Sequence, residues 1–131
     1  MPLSVQLVSP ERVLFEGEAD MLVCRTLEGG DVAFLPGHQP FLGALGIGAV
    51  RFELSDETWK QAAVHGGFVE VANDRVIVLS DVAEMSDQID VARAQDAKVR
   101  AEALLANSAD AEASAALARA NARLTVAGAL G

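Results

Sequence analysis

The chain has no tyrosine, one tryptophan, one cysteine and two histidines. With Cys24 alone, no intrachain disulfide and no thiolate cage for a metal can form, so a reducing compartment is the simplest home. Basic residues are also scarce. Ten Lys and Arg against nineteen Asp and Glu leave a formal charge of −9, which repels phosphate backbones and argues against nucleic acid as a partner. The Gly-x-Ser-x-Gly elbow, the His-Glu-x-x-His pair and the Gly-x-x-x-x-Gly-Lys-Ser/Thr loop are all missing, which removes the main signatures of an autonomous enzyme. His38 and His65 stand 27 positions apart, and spacing assigns neither a Ser or Cys partner, so no catalytic residue is expected and structural or surface roles suit both. No metal set is indicated either. The start, Met1-Pro2-Leu3-Ser4-Val5-Gln6, lacks the basic residues and apolar run of a signal peptide. Residues 32–50 run for 19 positions without a charge, the length of a membrane span. Pro36, Pro40, His38, Gln39 and four glycines within them make a lipid-facing helix untenable, and a loop followed by a strand surface is expected instead.

Apolar side chain is what the sequence does supply. Of 131 residues, 51% are hydrophobic and 22% charged, enough for a core in one domain or in one domain with an appendage. Two different polymers meet near residue 87. All four prolines, all six aromatic residues and nine of the eleven glycines lie in the first 68 positions, whereas 16 of the last 41 residues are Ala. Charge divides the same way: residues 1–90 carry five basic and fifteen acidic side chains, net −10, while residues 91–131 carry five and four, net +1. A domain over 1–87 and a separate arm over 88–131 are therefore expected.

The first part reads as strands. Val5-Gln6-Leu7-Val8, Arg12-Val13-Leu14-Phe15, Met21-Leu22-Val23-Cys24, Val50-Arg51-Phe52-Glu53-Leu54 and Arg75-Val76-Ile77-Val78-Leu79 have strand length and β-branched or aromatic content. Glu28-Gly29-Gly30-Asp31, Ser55-Asp56-Glu57 and Asn73-Asp74 suit the tight turns between them. Eight to ten strands in fewer than 90 residues predict a β-sandwich or flattened barrel. Cys24 fits as a small buried hydrophobe, and Trp59 and the five Phe residues as core fillers. Gly43, Gly46 and Gly48 reverse the dinucleotide-binding spacing and lack a following Lys, so turn and strand roles are expected of them.

Beyond Ser86-Asp87, which can cap a helix, the chain reaches Ala106 without Gly or Pro. Asn107-Ser108-Ala109-Asp110 then interrupts, with Ser108 or Asp110 able to cap a second helix that ends near Thr125. An antiparallel two-helix hairpin results. Its apolar positions are mostly Ala. At about 25 cal/mol per Å² of buried apolar surface, such a seam permits close approach but holds weakly, so the hairpin is expected to be detachable.

Leu35-Pro36-Gly37-His38-Gln39-Pro40-Phe41-Leu42, then Gly46-Ile47-Gly48-Ala49-Val50, His65-Gly66-Gly67-Phe68-Val69-Glu70-Val71 and Ile89-Asp90-Val91-Ala92-Arg93-Ala94 follow in order. Together they resemble the epsilon subunit family of the bacterial F-type ATP synthase, called delta in mitochondrial naming, and the resemblance covers essentially the whole chain. It implies a non-catalytic central-stalk subunit whose sandwich binds the gamma subunit and the ring of c subunits. It further implies a peripheral place at the cytoplasmic face of the bacterial cell membrane, without direct membrane insertion. In that family the hairpin folds against the sandwich or extends along gamma toward the alpha and beta subunits, restraining ATP hydrolysis. Asp31, Pro36, Gly37 and His38 match positions near the family's rotor interface, where Asp31 replaces the Glu of many relatives. The uncharged run would then meet the ring's polar loops, or be merely a covered strand.

No cofactor is required by this reading, although ATP enters as a regulatory ligand. Ile89, Asp90 and Arg93, with Glu84 and Arg100 at matching offsets, resemble the ATP-contacting site of some family members. Asp90, Arg93 and Arg100, at steps of three and seven, would line one helical face, and guanidinium groups suit phosphate. Asp90 and Arg93 equally suit a plain i,i+3 pair at a helix N-terminus. Arg119 and Arg123, placed near the hairpin tip, offer charge to an acidic partner or simply form a solvated face. The alternative from another functional class is a free-standing ATP-sensing β-domain with a helical lid.

Overall fold

The computed structural model describes residues 2–28 and 30–128. Among them eight strands come first: β1 (Leu3–Ser9), β2 (Arg12–Ala19), β3 (Met21–Arg25), β4 (Asp31–Phe34), β5 (Phe41–Glu53), β6 (Trp59–Ala72), β7 (Arg75–Leu79) and β8 (Ala83–Met85). A 3-10 turn at Ser86–Gln88 leads to helices α1 (Val91–Leu105) and α2 (Ala111–Val126). The Glu28-Gly29-Gly30-Asp31 turn falls partly on Gly29, and the arm ends with residues 129–131; these four lie outside the described residues.

The strands are bonded in the order β2-β1-β7-β6-β5-β3-β4, with β8 added to β6. One sheet becomes a sandwich because β5 and β6, 13 and 14 residues long, serve in both layers. Residues 68–72 of β6 pair with β7, which pairs with β1 and through it β2. Residues 62–64 of β6 pair with β8, and residues 51–53 of β5 pair with β3, which carries β4. An expectation of eight to ten strands is thus met by eight, two of them used twice.

The change of layer happens at glycine. On β6, Ala62 and Val64 join the core before the bend, and Val69 and Val71 after it, so the inward positions pass from even to odd numbers. A shift of one residue is what keeps an apolar face inward when the ribbon turns over. Gly66 and Gly67 take φ of +86° and +127° there. A Cβ on Gly67 would stand 1.9 Å from the Leu79 carbonyl oxygen, so neither the backbone conformation nor the space admits a side chain.

Both layers send side chains into one core, among them Leu3, Val5 and Val78 from one and Leu22, Phe34 and Phe52 from the other. Cys24 is fully buried in it. Burial, with the Asp31 charge adding to it, pushes its thiol up to about 11, as an inert small hydrophobe requires. Asn73-Asp74 forms the expected turn, both residues taking positive φ. Core filling is not the role of every aromatic residue, however: Phe68 is 56% and Trp59 43% exposed.

The hairpin lies on one outer face, α2 against β5 and β6 and α1 against α2. Ala63, Ala122 and Val126 form the seat, with Ile47, Ala49 and Ile89 beside them. Ala94 and Ala101 are the buried residues of α1. One methyl group each adds only about 0.8 kcal/mol, so this second cluster is weak beside the sandwich core. Helix α1 starts later than Ser86-Asp87 suggests. Those residues enter the 3-10 turn, Ile89 stays extended, and Asp90 caps α1 by accepting the Arg93 N–H at 3.1 Å. Asp110, rather than Ser108, caps α2 through the Ala113 N–H at 3.1 Å. Gly67→Ala is expected to destabilise the chain by about 3 kcal/mol or more, measured as a fall in the urea midpoint; an unchanged midpoint would show that the bend tolerates a side chain.

Candidate functional site

Two regions carry the residues of interest, the seam under α2 and the loop between β4 and β5. At the seam Arg123 donates from Nε to Glu84 Oε1 at 2.5 Å, with side chains 28% and 29% exposed. This bond ties α2 to β8, making it the charged link between arm and sandwich among the described residues. The expected nucleotide residue Glu84 is therefore joined to the expected tip residue Arg123. The tip itself is the 106–110 connection, whereas Arg123 lies in the last turn of α2, beside the sheet, and Arg119 pairs with Glu112 at 2.7 Å. A tip location is corrected for both in this folded arrangement.

The remaining nucleotide candidates run from Ile89 and Asp90, which precede the first helix, to Arg93 and Arg100 within it. Ile89 packs with the seat, and the Asp90 carboxylate takes the Arg93 backbone N–H as its cap rather than lying along a helical face. Arg100 is exposed and meets Asp96 at 3.4 Å. Arg93 is exposed as well. The seven-residue step puts the two arginines on one face with a rise of about 10 Å. Among the described residues, no group of three His, Cys, Asp or Glu could hold a metal ion.

Asp31 and the Pro36-Gly37-His38 loop are not one cluster, since they stand at opposite ends of β4. Asp31 pairs with Arg25 at 3.5 Å, both about half exposed. The loop is held elsewhere, by Gly37 N–H donating to Asp74 Oδ1 at 2.7 Å and His38 N–H donating to Leu35 at 3.1 Å. Positive φ at Gly37 shapes this turn. The His38 ring meets Phe34 edge-on at 4.9 Å between centroids, so its apolar side is anchored while the loop stays exposed.

A feature not singled out in the sequence crosses the outer face away from the hairpin. Ala44, Phe68, Leu79, Val8 and Val13 stand opposite one another across β5, β6, β7, β1 and β2. This apolar row is about 19 Å long at the usual strand spacing. Phe68, Leu79 and Val13 are 56%, 49% and 50% exposed, and an exposed contiguous patch of this kind marks a contact surface. Its trace in the sequence is the unbroken pair Phe68-Val69, where strict alternation fails beside Gly66-Gly67. A corner cleft of about 460 Å³ adjoins the row, lined by Ser9, His65, Gly66, Phe68, Ser80 and Asp81 among others.

The family model for the beta-sandwich domain of the ATP synthase delta/epsilon chain matches residues 2–86, and that for its long alpha-helix domain matches residues 87–128. The chain belongs to the ATP synthase delta/epsilon family. A Streptomyces griseus protein named ATP synthase epsilon chain is 44% identical over 111 residues, 85% of this chain and 86% of that one. Another of the same name from Symbiobacterium thermophilum is 44% identical over 98% of this chain and 94% of its own length. In fold, the chain superposes on one from the Euglena gracilis mitochondrial ATP synthase, solved as OSCP, F1 and c-ring, with a TM-score of 0.73. That match has 21% identity and covers 98% of this chain and 79% of the other. A chain from the central stalk and c-ring of the Tetrahymena thermophila mitochondrial enzyme gives a TM-score of 0.54 at 14% identity, covering 67% and 69%. No helix among the described residues is long and apolar enough to cross a membrane.

A double-mutant cycle measures the tie between arm and sandwich. Glu84→Gln and Arg123→Gln are each expected to loosen the α2 amides by about 1 kcal/mol in hydrogen exchange, with a coupling of similar size; full additivity would make the bond incidental.

Proposed function

We propose that this chain is the epsilon subunit of the F1 central stalk, carrying no chemistry of its own. The observation that carries the reading is the apolar row on the sandwich face away from the hairpin. A solvent-facing stripe led by Phe68 and Leu79 gains from burial against a partner, and the gamma subunit is that partner. The exposed loop at Pro36, Gly37 and His38 and the acid at Asp31 face the c-ring from the two ends of β4. Rotation of the proton-driven ring then passes to gamma through a rigid sandwich. This places the chain peripherally at the cytoplasmic face of the bacterial cell membrane.

The hairpin supplies regulation. Held by an Ala-rich seat and the Glu84–Arg123 bond, it detaches and extends along gamma toward the alpha and beta subunits, restraining ATP hydrolysis. Release frees Arg123 from Glu84 for acidic groups there, while Arg119 travels with its α2 partner Glu112. ATP acts as a ligand of the folded form, its phosphates on Arg93 and Arg100, and stabilises that form by mass action.

Among the described residues the sandwich core contains none from the arm, so a chain without residues 88–131 is expected to keep its fold. That truncation is expected to bind gamma as tightly as the full chain and to raise ATP hydrolysis by the reassembled complex; loss of gamma binding would overturn this division of labour. Phe68→Asp is expected to weaken gamma binding at least tenfold, about 1.4 kcal/mol, and wild-type affinity would remove the row from the interface. Calorimetric titration with ATP is expected to give heat for the wild type and little for Arg93→Ala. No heat at millimolar nucleotide rejects the ligand.

A further inference from the structure

We propose that His65 makes the seating of the hairpin acid-sensitive, protonation of its ring loosening α2 from the sheet. His65 lies on β6 two residues from Ala63 of the seat and opposite Ile47 of β5. Both ring nitrogens are buried, and neither bonds to any described residue. An imidazole carries at least one N–H, so a donor lies buried without an acceptor beside the strand position, Ala63, on which α2 is seated. Release of the arm would bring that donor closer to water.

The surroundings offer a proton no welcome. Arg123 and Arg119 from α2 act on the ring along with Glu84 from β8. Glu84, the one acid among the described residues that acts on it, is already bonded to Arg123, and Arg119 to Glu112. Asp81, from the connection between β7 and β8, lines the adjoining cleft. Strand β5 presents Ile47 and Ala49, which carry no charge. Burial, first, and the Arg123 charge, second, lower the ring from 6.5 to about 4, Glu84 opposing them and Arg119 adding to them. Release of the arm would remove the Arg123 and Arg119 charges and part of the burial, returning the ring toward its ordinary value. The seated state therefore binds the proton more weakly than the released one: its advantage is complete above about pH 6.5 and is lost as pH falls toward 4. Between pH 8 and pH 5 the seating equilibrium shifts toward release by up to about 30-fold, the limit reached when the ring recovers its full ordinary value.

In functional terms the inference deepens the reading above and rests on it: acidification of the surrounding compartment would extend the arm and restrain hydrolysis. Its physical core needs only the isolated full-length chain. Hydrogen exchange of α2 and β6 peptides, corrected for the intrinsic pH dependence of exchange, is expected to show opening increase by up to about 30-fold from pH 8 to pH 5. In His65→Gln and His65→Phe the increase should shrink to less than about threefold. An imidazole titration by NMR, with His38→Gln identifying the second histidine, is expected to place the His65 midpoint below pH 5. That measurement decides the case even where a variant fails to fold. A midpoint at or above pH 6.5, or wild-type pH dependence in both variants, overturns the proposal. Acid-dependent opening without any change in hydrolysis by the complex would instead count against the regulatory arm.

Discussion

Strands β5 and β6 face two ways, and the rest of the molecule follows from that. Twelve registered pairs run from Phe41 and Val71 to Glu53 and Trp59, and the ribbon they make must put apolar side chains inward in both layers. Its outer face must also do two jobs, seating the hairpin in one half and presenting the apolar row in the other. Glycine at positions 66 and 67 reconciles these demands, because a change of phase there exchanges inner for outer positions while the ladder skips only Gly46 and Gly66 and resumes in the same register. Ala63 and His65 then look toward α2, whereas Phe68 looks away from the core in the other layer.

Much of the architecture was legible because it rests on local chemistry. Strand periodicity, the Asn73-Asp74 turn, the sharp fall in Gly and Pro after residue 68 and the capping residue Asp110 each act within a few residues, so the sandwich and the hairpin could both be read directly. What remained hidden is non-local. Sequence does not reveal that β5 and β6 serve both layers, or that β8 completes the sheet under α2, because those facts depend on which strand lies alongside. The later start of α1 belongs to the same class: Ile89 is extended because it packs against Ala63, Ala122 and Val126, a contact made by three distant segments.

The candidate site divides along the same line. Asp90 was visible as a helix-start acid, and the structure gives it that role through the Arg93 N–H. Joining Glu84 to Arg123 required the fold, since 39 residues separate them. So did separating Asp31 from His38, which are close in sequence but stand at opposite ends of a strand. Phe68 misled for a simple reason: a large aromatic residue in a strand usually points inward, and here the phase change at Gly66-Gly67 points it out. His65 was equally unreadable, because a lone histidine acquires its properties from whatever covers it.

The division of charge also gains a location. Among the described residues, an acidic sandwich and a nearly neutral arm meet at one partly buried ion pair rather than across a broad electrostatic face, so the arm's position depends on few groups. The Ala-rich seat has a kinetic counterpart. An alanine has no side-chain rotamer to lose on contact or to recover afterwards, so in the proposed release few side chains of the seat, Val126, Ile47 and Ile89 among them, would have to repack. Such a contact wears no memory of its last use, and cycles of parting and rejoining should run at a rate set by the motion of whole helices.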